Sequence, residues 1–382
     1  MKKILLISSN SSSRGGGERY LVFLARGLRR LNYEVHALLS DVNYMNVWAK
    51  DLADEGATIH RRKLKGLTHR PLRFLQAMYD KKQIELISDF CNEIMPDAIL
   101  VNQQYDEDGI DFLMGAIKSG VAPVGGTMHM PMTKGKNNRR LGRLRGFLLS
   151  RWYYSHYYHI IFVSKGAQKE FESYYKLPTS TFVVNNSTPL DNKIPTVQPY
   201  QIFPETSPVI GFVGQFCYQK NIMRIVKAWM EVREIIGDCR LLLVGDGPER
   251  AIIENFLINN LPSESYHITG WTEVPEIYLE QMNVFILASR FEGLPLSLVE
   301  AASRGISAVV SPFNGANDVA QYAHWVKVAN HDTVEQISNL VVNVLMNKTK
   351  EPTKLELEKF RNYFSLERMA KETIQILNKG RN

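Results

Sequence analysis

The segment of residues 283–305, NVFILASRFEGLPLSLVEAASRG, constrains the fold of this 382-residue chain more than any other. Residues 284–288 form a continuous apolar run, which predicts a strand buried on both faces of a parallel sheet. Residues 289–294 predict a loop, and Pro295 predicts the first position of a helix because its φ is already helical. A strand, loop and helix in this order indicate an open α/β sheet, which binds ligands at the carboxyl ends of its strands.

The predicted helix brings two acidic residues to this loop. Its apolar positions Leu296, Val299 and Ala302 face inward. Glu300 lies on another side of the helix, and Glu292 stands just before it. The free N–H groups at a helix start attract an anion such as a diphosphate, whereas carboxylates pair with hydroxyls. This layout suits a nucleotide sugar, although a surface helix with two solvated acids gives the same pattern.

Three more segments of the C-terminal half end in glycine turns. Residues 241–248 (LLLVGDGP) predict a buried strand with a Gly-Asp-Gly turn, and residues 266–271 (YHITGW) predict a short strand. Residues 211–214 (GFVG) predict a strand end that precedes Lys220 at a helix start. Together with FEGLPLSLVE, these segments resemble in order and spacing the C-terminal domain of the GT-B glycosyltransferases, specifically the large retaining family 4.

The resemblance implies roles for three polar side chains of this domain and for the backbone of two neighbouring residues. Glu300 would hold the ribose hydroxyls, and Glu292 with the backbone of Gly293 and Leu294 would hold the donor sugar. Lys220 would stabilise the departing diphosphate, which gains charge as the glycosidic bond breaks. Retention in this family is usually attributed to attack on the same face, with the leaving phosphate oxygen taking the acceptor's proton. No protein nucleophile is then required.

One position departs from the family's phosphate clamp, which is an arginine followed by a lysine five residues later. In GQFCYQKN the lysine is present as Lys220, but Gln215 replaces the arginine. A lysine supplies a point charge to a diphosphate, whereas a glutamine donates a hydrogen bond without neutralising it. The departure puts in question the donor affinity or the stabilisation of the leaving group, unless another basic residue substitutes.

The first half of the chain alternates between apolar strands and helical patterns. Tyr20, Leu24, Leu28 and Leu31, for example, recur at helical spacing. The alternation predicts a parallel, doubly wound sheet and restarts at residue 209, so the expected architecture is α/β with two Rossmann-like domains. The resemblance implies the GT-B fold, in which the two domains face each other across a cleft. The strands predicted in this half are residues 4–8, 35–39, 98–102, 121–127, 160–164 and 182–185.

A proline-rich segment divides the two predicted domains. Residues 189–208 hold five prolines and predict a linker. Residues 1–188 would form the N-terminal acceptor-binding domain, and residues 209–362 the C-terminal nucleotide-sugar-binding domain. The resemblance implies that the last helix, within residues 363–382, crosses back onto the first domain.

Two features of the first domain gain meaning from the resemblance. Gly15, Gly16 and Gly17 expose backbone at a predicted helix start, where a phosphate or sugar can approach closely. A flexible linker or a plain turn has the same composition, but family 4 enzymes carry a similar Gly-Gly segment that reaches the donor diphosphate. The family also often places a histidine after the strand VAPVGGT. This implies contact of His129 with the donor sugar or the transition state, with a structural histidine as the alternative.

Two further polar segments call for an interpretation. FVVNNS resembles the family's strand-and-turn NG signature, with Asn186 at the Asn and Ser187 replacing the Gly, so a turn with Asn at positive φ is expected. Asp106, Glu107 and Asp108 match the DxD triplet that binds Mn²⁺ in glycosyltransferases of the other major fold. Because they lie in the wrong domain, they are interpreted as a solvated loop, and no metal is expected.

Positive charge is concentrated in the first half of the chain. Residues 1–200 hold 28 Lys and Arg against 18 Asp and Glu, whereas the remainder holds 18 against 21, and residues 112–169 contain no acid. This asymmetry implies that the first domain meets an anionic partner or surface. Two basic segments mix cations with Leu and Phe, residues 60–73 and 134–151.

The second basic segment, followed by WYYSHYY, has the composition of an interfacial helix. We therefore hypothesise peripheral attachment to an anionic membrane surface. A solvated surface is the alternative, and no nucleic-acid partner is expected because no nucleic-acid motif accompanies the charge. The residues that carry the hypothesis are Arg139, Arg140, Arg143 and Arg145.

The remaining composition indicates where the protein works. No run of eighteen apolar residues occurs, and the apolar core of MKKILLISSN is too short for a signal peptide. Cys91, Cys217 and Cys239 are scattered without CxxC spacing, which suggests reduced thiols. A cytoplasmic protein is expected, with peripheral attachment to the inner face of the cell membrane as the hypothesis.

The sequence thus favours a retaining glycosyltransferase that moves a hexose from a nucleotide sugar to a glycan or lipid-linked acceptor. The family's habits and the basic first half of the chain favour bacterial surface polysaccharide or lipopolysaccharide assembly. UDP-linked hexoses and GDP-mannose are both used in the family, and a UDP-sugar is the favoured donor. A nucleotide-sugar 2-epimerase shares the fold, but the additional carboxylates and histidines that it needs have no place in this sequence. The replacement of the clamp arginine keeps a second alternative open, a non-catalytic GT-B scaffold in a polysaccharide assembly complex.

Overall fold

The computed structural model describes residues 1–8, 15–66, 80–131, 158–175, 181–189, 201–346 and 350–379. These residues form two compact units. The first unit combines Met1–Ser187 with Phe364–Asn382, and the second contains Thr188–Tyr363. Residues 190–200, the larger part of the predicted linker, lie outside the described residues.

The described part of the first unit contains a parallel sheet of seven strands in the order β3-β2-β1-β4-β5-β6-β7. The strands are β1 (Lys3–Ser8), β2 (Glu34–Ser40), β3 (Thr58–Arg62), β4 (Ala98–Gln103), β5 (Val124–Met128), β6 (His159–Phe162) and β7 (Thr181–Val183). The helices are α1 (Gly16–Arg30), α2 (Asn46–Asp54), α3 (Lys81–Ile94), α4 (Ile110–Ser119) and α5 (Lys165–Tyr174), with the last helix of the chain, Leu366–Leu377, in the same unit.

The second unit, over its described residues, contains a parallel sheet of six strands in the order β10-β9-β8-β11-β12-β13. The strands are β8 (Val209–Val213), β9 (Arg240–Val244), β10 (Tyr266–Gly270), β11 (Val284–Leu287), β12 (Ser307–Val310) and β13 (Val326–Val328). The helices are α6 (Ile222–Ile236), α7 (Arg250–Asn260), α8 (Glu276–Leu279), α9 (Leu296–Ser303), α10 (Ala316–Ala320), α11 (Val334–Met346) and α12 (Lys354–Tyr363); the Leu366–Leu377 helix of the first unit is α13.

The central strands are the ones that the sequence predicted best. β11 is buried at every residue, as are β8 and β4, because each is covered on both faces. The two parallel sheets confirm the expected pair of Rossmann-like domains. The prediction missed β3, β12 and β13, of which β3 and β13 lie at sheet edges. β3 has the sequence TIHRR and is not a continuous apolar run, because an edge strand that is only partly buried does not need one.

The last helix packs on the first. α13 begins after Ser365, whose side chain accepts a hydrogen bond from Arg368 N, and it lies against α1. Gly27 of α1 makes this approach possible, because a Cβ there would lie 2.5 Å from the backbone oxygen of Leu366. Arg30 of α1 also forms an ion pair with Glu367 at 2.9 Å. The end of the chain is therefore part of the first unit.

We predict that Gly27→Ala destabilises the first unit even though alanine favours helices, because the added methyl group meets backbone that cannot rotate away. The expected loss is about 1–3 kcal/mol in the free energy of unfolding, measured by thermal and urea denaturation. Gly16→Ala is the matched control, since Gly16 is exposed in the first turn of the same helix. Equal stability of the two variants would contradict the close approach of α1 and α13.

Candidate functional site

Glycine turns bring the loops of the second unit together at the carboxyl ends of its strands. Gly214 N donates to Val244 O at 3.0 Å, and Phe216 N donates to Asp246 O at 2.8 Å. Gly245 N donates to Gly270 O at 3.0 Å. Gly245 has a φ of +138°, and a Cβ there would lie 1.9 Å from Gly214 O. The GFVG and Gly-Asp-Gly turns are therefore required for direct backbone contact between neighbouring loops.

Glu292 and Lys220 form a largely buried ion pair in this cluster of loops. Lys220 Nζ lies 2.5 Å from Glu292 Oε1, and Glu292 is only 6% exposed. Gln219 Nε2 donates to Glu292 Oε2 at 3.0 Å and to the Phe291 carbonyl at 3.1 Å. Both carboxylate oxygens thus have a donor. Lys220 and Glu292, both predicted to act on the donor, are thus brought together. Gln219 is the third side chain of this cluster, and no motif in the sequence pointed to it.

Glu300 is also buried, at 6% exposure, within a helix that is buried on nearly every side. This excludes the interpretation of Glu292 and Glu300 as two solvated acids on a surface helix. The expectation for Pro295 needs correction, because it is the N-cap residue with a ψ of 127°, and α9 begins at Leu296. A proline with extended ψ lies just outside the helix rather than in its first turn.

The backbone of Gly293 and Leu294 lies against another loop of the same unit. A Cβ at Gly315 would lie 2.2 Å from Gly293 O and 2.8 Å from Leu294 Cα. Leu294 itself is buried. These two residues, predicted to contact the donor sugar, are therefore held by backbone packing immediately before α9.

A second cation, Arg290, contacts the loop that lacks the clamp arginine but lies on the neighbouring loop after β11. Gln215 is exposed, as is Arg290. The Arg290 guanidinium donates to Tyr218 O and to Asn221 Oδ1, each at 3.2 Å, and lies 4.4 Å from the centre of the Tyr218 ring. Positive charge thus reaches residues 218–221 from the neighbouring loop, a possibility that the sequence analysis left open without naming a residue.

In the first unit, the predicted glycines do open a helix. Gly15 is the N-cap of α1, and Gly16 and Gly17 form its first turn. Gly16 is exposed, whereas Gly17 is buried, and a Cβ on Gly17 would lie 1.7 Å from Gln104 Nε2. The absence of a Cβ at Gly17 therefore lets the end of the Gln104 side chain lie against the first turn of α1. Residues 9–14, which precede this turn, lie outside the described residues.

His129 follows β5 directly and is 5% exposed. Its Nε2 lies 2.8 Å from Asn102 Oδ1, and Asn102 Nδ2 donates to Gly17 O at 3.1 Å. The ring meets the edge of Tyr20 at 4.9 Å between centroids. Burial lowers the pKa of His129 to about 3, so the imidazole is neutral near neutral pH. Asn102 thus connects two predicted site residues, and no pattern in the sequence pointed to it.

The segment that contains Asn186 and Ser187 does not form the expected turn. Neither residue is among the described residues with positive φ, and both are buried. Instead, Arg368 from α13 donates to Asn185 O at 2.7 Å and to Ser187 Oγ at 3.2 Å. A side chain of α13 thus donates to this segment, which adopts no αL residue at Asn186 or Ser187.

The DxD triplet is a loop, as expected, but the loop is not solvated. Asp106, Glu107 and Asp108 are all buried. Tyr175 donates its hydroxyl hydrogen to Asp106, and Gln104 N donates to Asp108 Oδ2 at 3.2 Å. The interpretation as a solvated loop was therefore wrong, because all three residues are buried, and the two hydrogen bonds offset part of the cost of burying Asp106 and Asp108. The described residues contain no group of three or more potential ligands that could hold a metal ion.

The structure describes only part of the two basic segments. The four arginines of the interfacial hypothesis lie within residues 132–157, outside the described residues. Of the first basic segment, residues 60–66 are described and begin in the edge strand β3. None of the helices that the structure describes is long and apolar enough to cross a membrane.

The architecture is that of a GT-B glycosyltransferase. Two units, each with a parallel Rossmann-like sheet, match the crystal structure of HepE of Anabaena in complex with UDP with a TM-score of 0.73. The match covers 99% of this chain and 99% of that chain at 13% sequence identity, so it concerns the fold alone.

Two family models extend the assignment from fold to family. The model described as Glycosyltransferase Family 4 matches residues 14–192, and the one described as Glycosyl transferases group 1 matches residues 207–347. The chain therefore belongs to the family 4 type of GT-B glycosyltransferases.

Curated relatives match over shorter stretches. The amylovoran biosynthesis glycosyltransferase AmsD of Erwinia amylovora is 28% identical over 130 residues, which cover 34% of this chain and 36% of the relative. The UDP-Gal:alpha-D-GlcNAc-diphosphoundecaprenol alpha-1,3-galactosyltransferase of Escherichia coli is 26% identical over 181 residues, covering 45% and 46% respectively. The matches thus span less than half the length of these relatives.

We predict that Lys220→Met destabilises the second unit by about 3 kcal/mol, because it leaves the buried Glu292 carboxylate without its counter-charge. Glu292→Leu should lower the free energy of unfolding by a smaller amount, because the lysine that it leaves unpaired is less buried than Glu292. The double variant Lys220→Met with Glu292→Leu should recover part of the loss, since no uncompensated charge remains. Urea unfolding of the four proteins measures the coupling. Strict additivity of the two single changes would show that the pair does not interact.

Proposed function

We propose that this protein is a retaining glycosyltransferase that moves a hexose from a UDP-sugar to a glycan or lipid-linked acceptor. The observation that carries the proposal is the buried pair of Lys220 and Glu292, at the carboxyl ends of the strands and next to the start of α9. A buried lysine and carboxylate at this edge provide one partner for phosphate and one for hydroxyl groups. The family assignment supports the reaction class.

The first step of the proposed mechanism is an exchange of partners. When the donor binds, Lys220 turns from Glu292 to the diphosphate, and Glu292 becomes an acceptor for hydroxyls of the donor sugar. Gln219, which also donates to Glu292, keeps one carboxylate oxygen in place during the exchange. Arg290 adds positive charge to the loop where Gln215 has replaced the clamp arginine. Glu300 holds the ribose hydroxyls.

The second step breaks the bond between the anomeric carbon and the diphosphate oxygen. Negative charge develops on the diphosphate and is stabilised by Lys220 and by the N–H groups at the start of α9. The acceptor hydroxyl attacks from the same face, and its proton passes to the departing phosphate oxygen. His129 contacts the donor sugar as a neutral group, with Gly16 and Gly17 near the diphosphate. We propose no metal cofactor.

The pathway is proposed from the relatives. AmsD is named for amylovoran biosynthesis, and the Escherichia coli relative for galactosyl transfer from UDP-Gal to a diphosphoundecaprenol-linked sugar. We infer that this protein acts in bacterial surface polysaccharide or lipopolysaccharide assembly. The domain roles that we propose are acceptor binding by residues 1–188 and donor binding by residues 209–362.

A non-catalytic scaffold is the second candidate, and Gln215 in place of the clamp arginine is the observation that favours it. The two candidates differ in their effect on the donor. An active transferase slowly hydrolyses a nucleotide sugar without acceptor, whereas a scaffold releases no nucleotide.

We predict that at least one of UDP-glucose, UDP-galactose and UDP-N-acetylglucosamine raises the melting temperature of the protein and is slowly hydrolysed by it. GDP-mannose should neither raise the melting temperature nor be hydrolysed. A ligand that binds only the native state raises the free energy of unfolding by about 2.7 kcal/mol at a concentration of one hundred times Kd. Thermal shift with UDP and GDP as reference ligands measures the binding, and nucleotide release measures hydrolysis. A protein that none of these donors stabilises would contradict the proposal, and binding without any release would favour the scaffold.

For the active donor, Lys220→Met should lower kcat/KM for hydrolysis about a hundredfold, the usual loss when one stabilising donor is removed. Glu280→Gln is the matched control, because Glu280 is an exposed acid of the same unit and is expected to leave the rate unchanged. A rate that Lys220→Met does not alter would exclude the proposed stabilisation of the diphosphate.

We also propose peripheral attachment to an anionic membrane through residues 134–151, on composition alone. Each basic residue near such a surface contributes about 1 kcal/mol. Replacing the four arginines by glutamine should therefore weaken co-sedimentation with phosphatidylglycerol vesicles at least about tenfold. The replaced residues are Arg139, Arg140, Arg143 and Arg145. Replacing the exposed Lys350, Lys354 and Lys359 of the second unit is the control, and equal binding of both variants would count against this attachment.

A further inference from the structure

The side chain of Asn102 connects three elements of the first unit. It stands near the end of β4 and is 1% exposed. Its Nδ2 donates to the carbonyl of Gly17 in α1 at 3.1 Å, and its Oδ1 lies 2.8 Å from His129 Nε2, just after β5. The first turn of the glycine helix and the candidate sugar-binding histidine are therefore joined through one amide.

These contacts determine where the proton of the imidazole lies. A backbone carbonyl only accepts hydrogen bonds, so the amide nitrogen of Asn102 must face Gly17 and the amide oxygen must face His129. Since Oδ1 only accepts, His129 Nε2 must carry the hydrogen. A neutral imidazole has one N–H, so Nδ1 holds a free lone pair. No described residue donates a side-chain hydrogen bond to Nδ1, and Gln103 O accepts from the backbone N of His129 at 3.1 Å.

The surroundings keep the ring neutral. Burial lowers the pKa of His129 to about 3. Among the residues that the structure describes, the titratable side chain that faces the ring is Tyr20. Burial raises the pKa of Tyr20 to about 12, so it is an uncharged phenol, and its oxygen lies 3.2 Å from Thr127 Oγ1. Arg368 acts on Tyr20 rather than on the imidazole. A neutral imidazole in this setting can accept a hydrogen bond through Nδ1 but cannot supply a positive charge.

We propose that Asn102 is a positioning residue that holds His129 in the Nε2–H tautomer, so that Nδ1 accepts a hydrogen bond from a hydroxyl of the sugar substrate. The identity of the hydroxyl-bearing ligand rests on the proposed function. The tautomer does not, because it follows from the contacts of Asn102 alone. The site then selects for a group that donates a hydrogen bond at this position and against one that only accepts.

Asparagine suits this position because its amide offers a donor and an acceptor without charge. Aspartate would accept from His129 Nε2 but could not donate to Gly17 O, and its charge would favour the imidazolium. Leucine has a similar size but forms neither hydrogen bond. These two substitutions therefore separate the effect of charge from the loss of hydrogen bonding.

The test is ¹⁵N NMR of the full chain labelled at its nine histidines, with His129→Gln to assign the His129 signals. We expect the wild-type protein to show protonated Nε2 and unprotonated Nδ1 for His129, without titration between about pH 5 and 8. Asn102→Asp should raise the pKa of His129 into this range, because a carboxylate beside the ring stabilises the charged form. Asn102→Leu should give a mixture of tautomers.

Two results would overturn the assignment of Asn102. One is a protonated Nδ1 in the wild-type protein, which needs no variant and so does not depend on variants that fold. The other is a His129 spectrum that is unchanged in both Asn102→Asp and Asn102→Leu. A purely structural role of Asn102 would lower stability without moving the tautomer or the pKa of His129.

The hydroxyl is tested with UDP-glucose and its monodeoxyfluoro derivatives, since fluorine does not donate a hydrogen bond. For the wild-type protein, replacing the contacted hydroxyl by fluorine should lower kcat/KM for hydrolysis about tenfold relative to UDP-glucose. Asn102→Leu should already hydrolyse UDP-glucose with a kcat/KM about tenfold below that of the wild-type protein, and the fluorinated derivative should lower it little further. Equal losses in both proteins would overturn the hydroxyl contact. If no nucleotide sugar binds, the proposed function fails, while the NMR result still decides the role of Asn102.

Discussion

Parallel pairing of the strands is the constraint on which the rest of the molecule depends. Parallel strands run in the same direction and are joined by crossover connections, so the carboxyl ends of all strands lie at the same edge of the sheet. The loops after β8, β9 and β11 therefore meet, and the contact between Gly245 and Gly214 brings backbone against backbone there. The buried pair of Lys220 and Glu292 exists because two of these loops lie side by side.

The two units present different chemistry. In the second unit, Lys220 and Glu292 are charged groups held near the start of α9, where a diphosphate would find both a cation and free N–H groups. In the first unit, burial keeps His129 neutral, and the amide oxygen of Asn102 accepts its N–H without adding charge. The proposed reaction assigns the leaving group to the charged pair and the sugar hydroxyls to the neutral histidine.

Much of the fold could be predicted because central strands have a simple pattern. β11 reads VFIL and is buried at every residue, so its apolar run was sufficient evidence. The edge strand β3 reads TIHRR and is only partly buried, so no comparable signal existed. For the site, Glu292 and Lys220 were found through motifs, but Gln219 and Asn102 were not. An amide side chain that bridges distant elements leaves no periodic pattern in the sequence. Gln219 lies 73 residues from Glu292 in the chain, and Asn102 lies 85 residues from Gly17.

The sequence by itself determined the class of architecture, the turns that need glycine, and the two acids and the lysine to which the proposal assigns donor binding. Those features follow from local pattern, since burial on two faces demands apolar runs and a close backbone approach demands glycine. Only the tertiary structure decided that the two acids are buried, that the Asp106 loop is not solvated, and which nitrogen of His129 carries the proton. Each of these depends on desolvation and on partners supplied by other elements, which no local stretch of sequence contains.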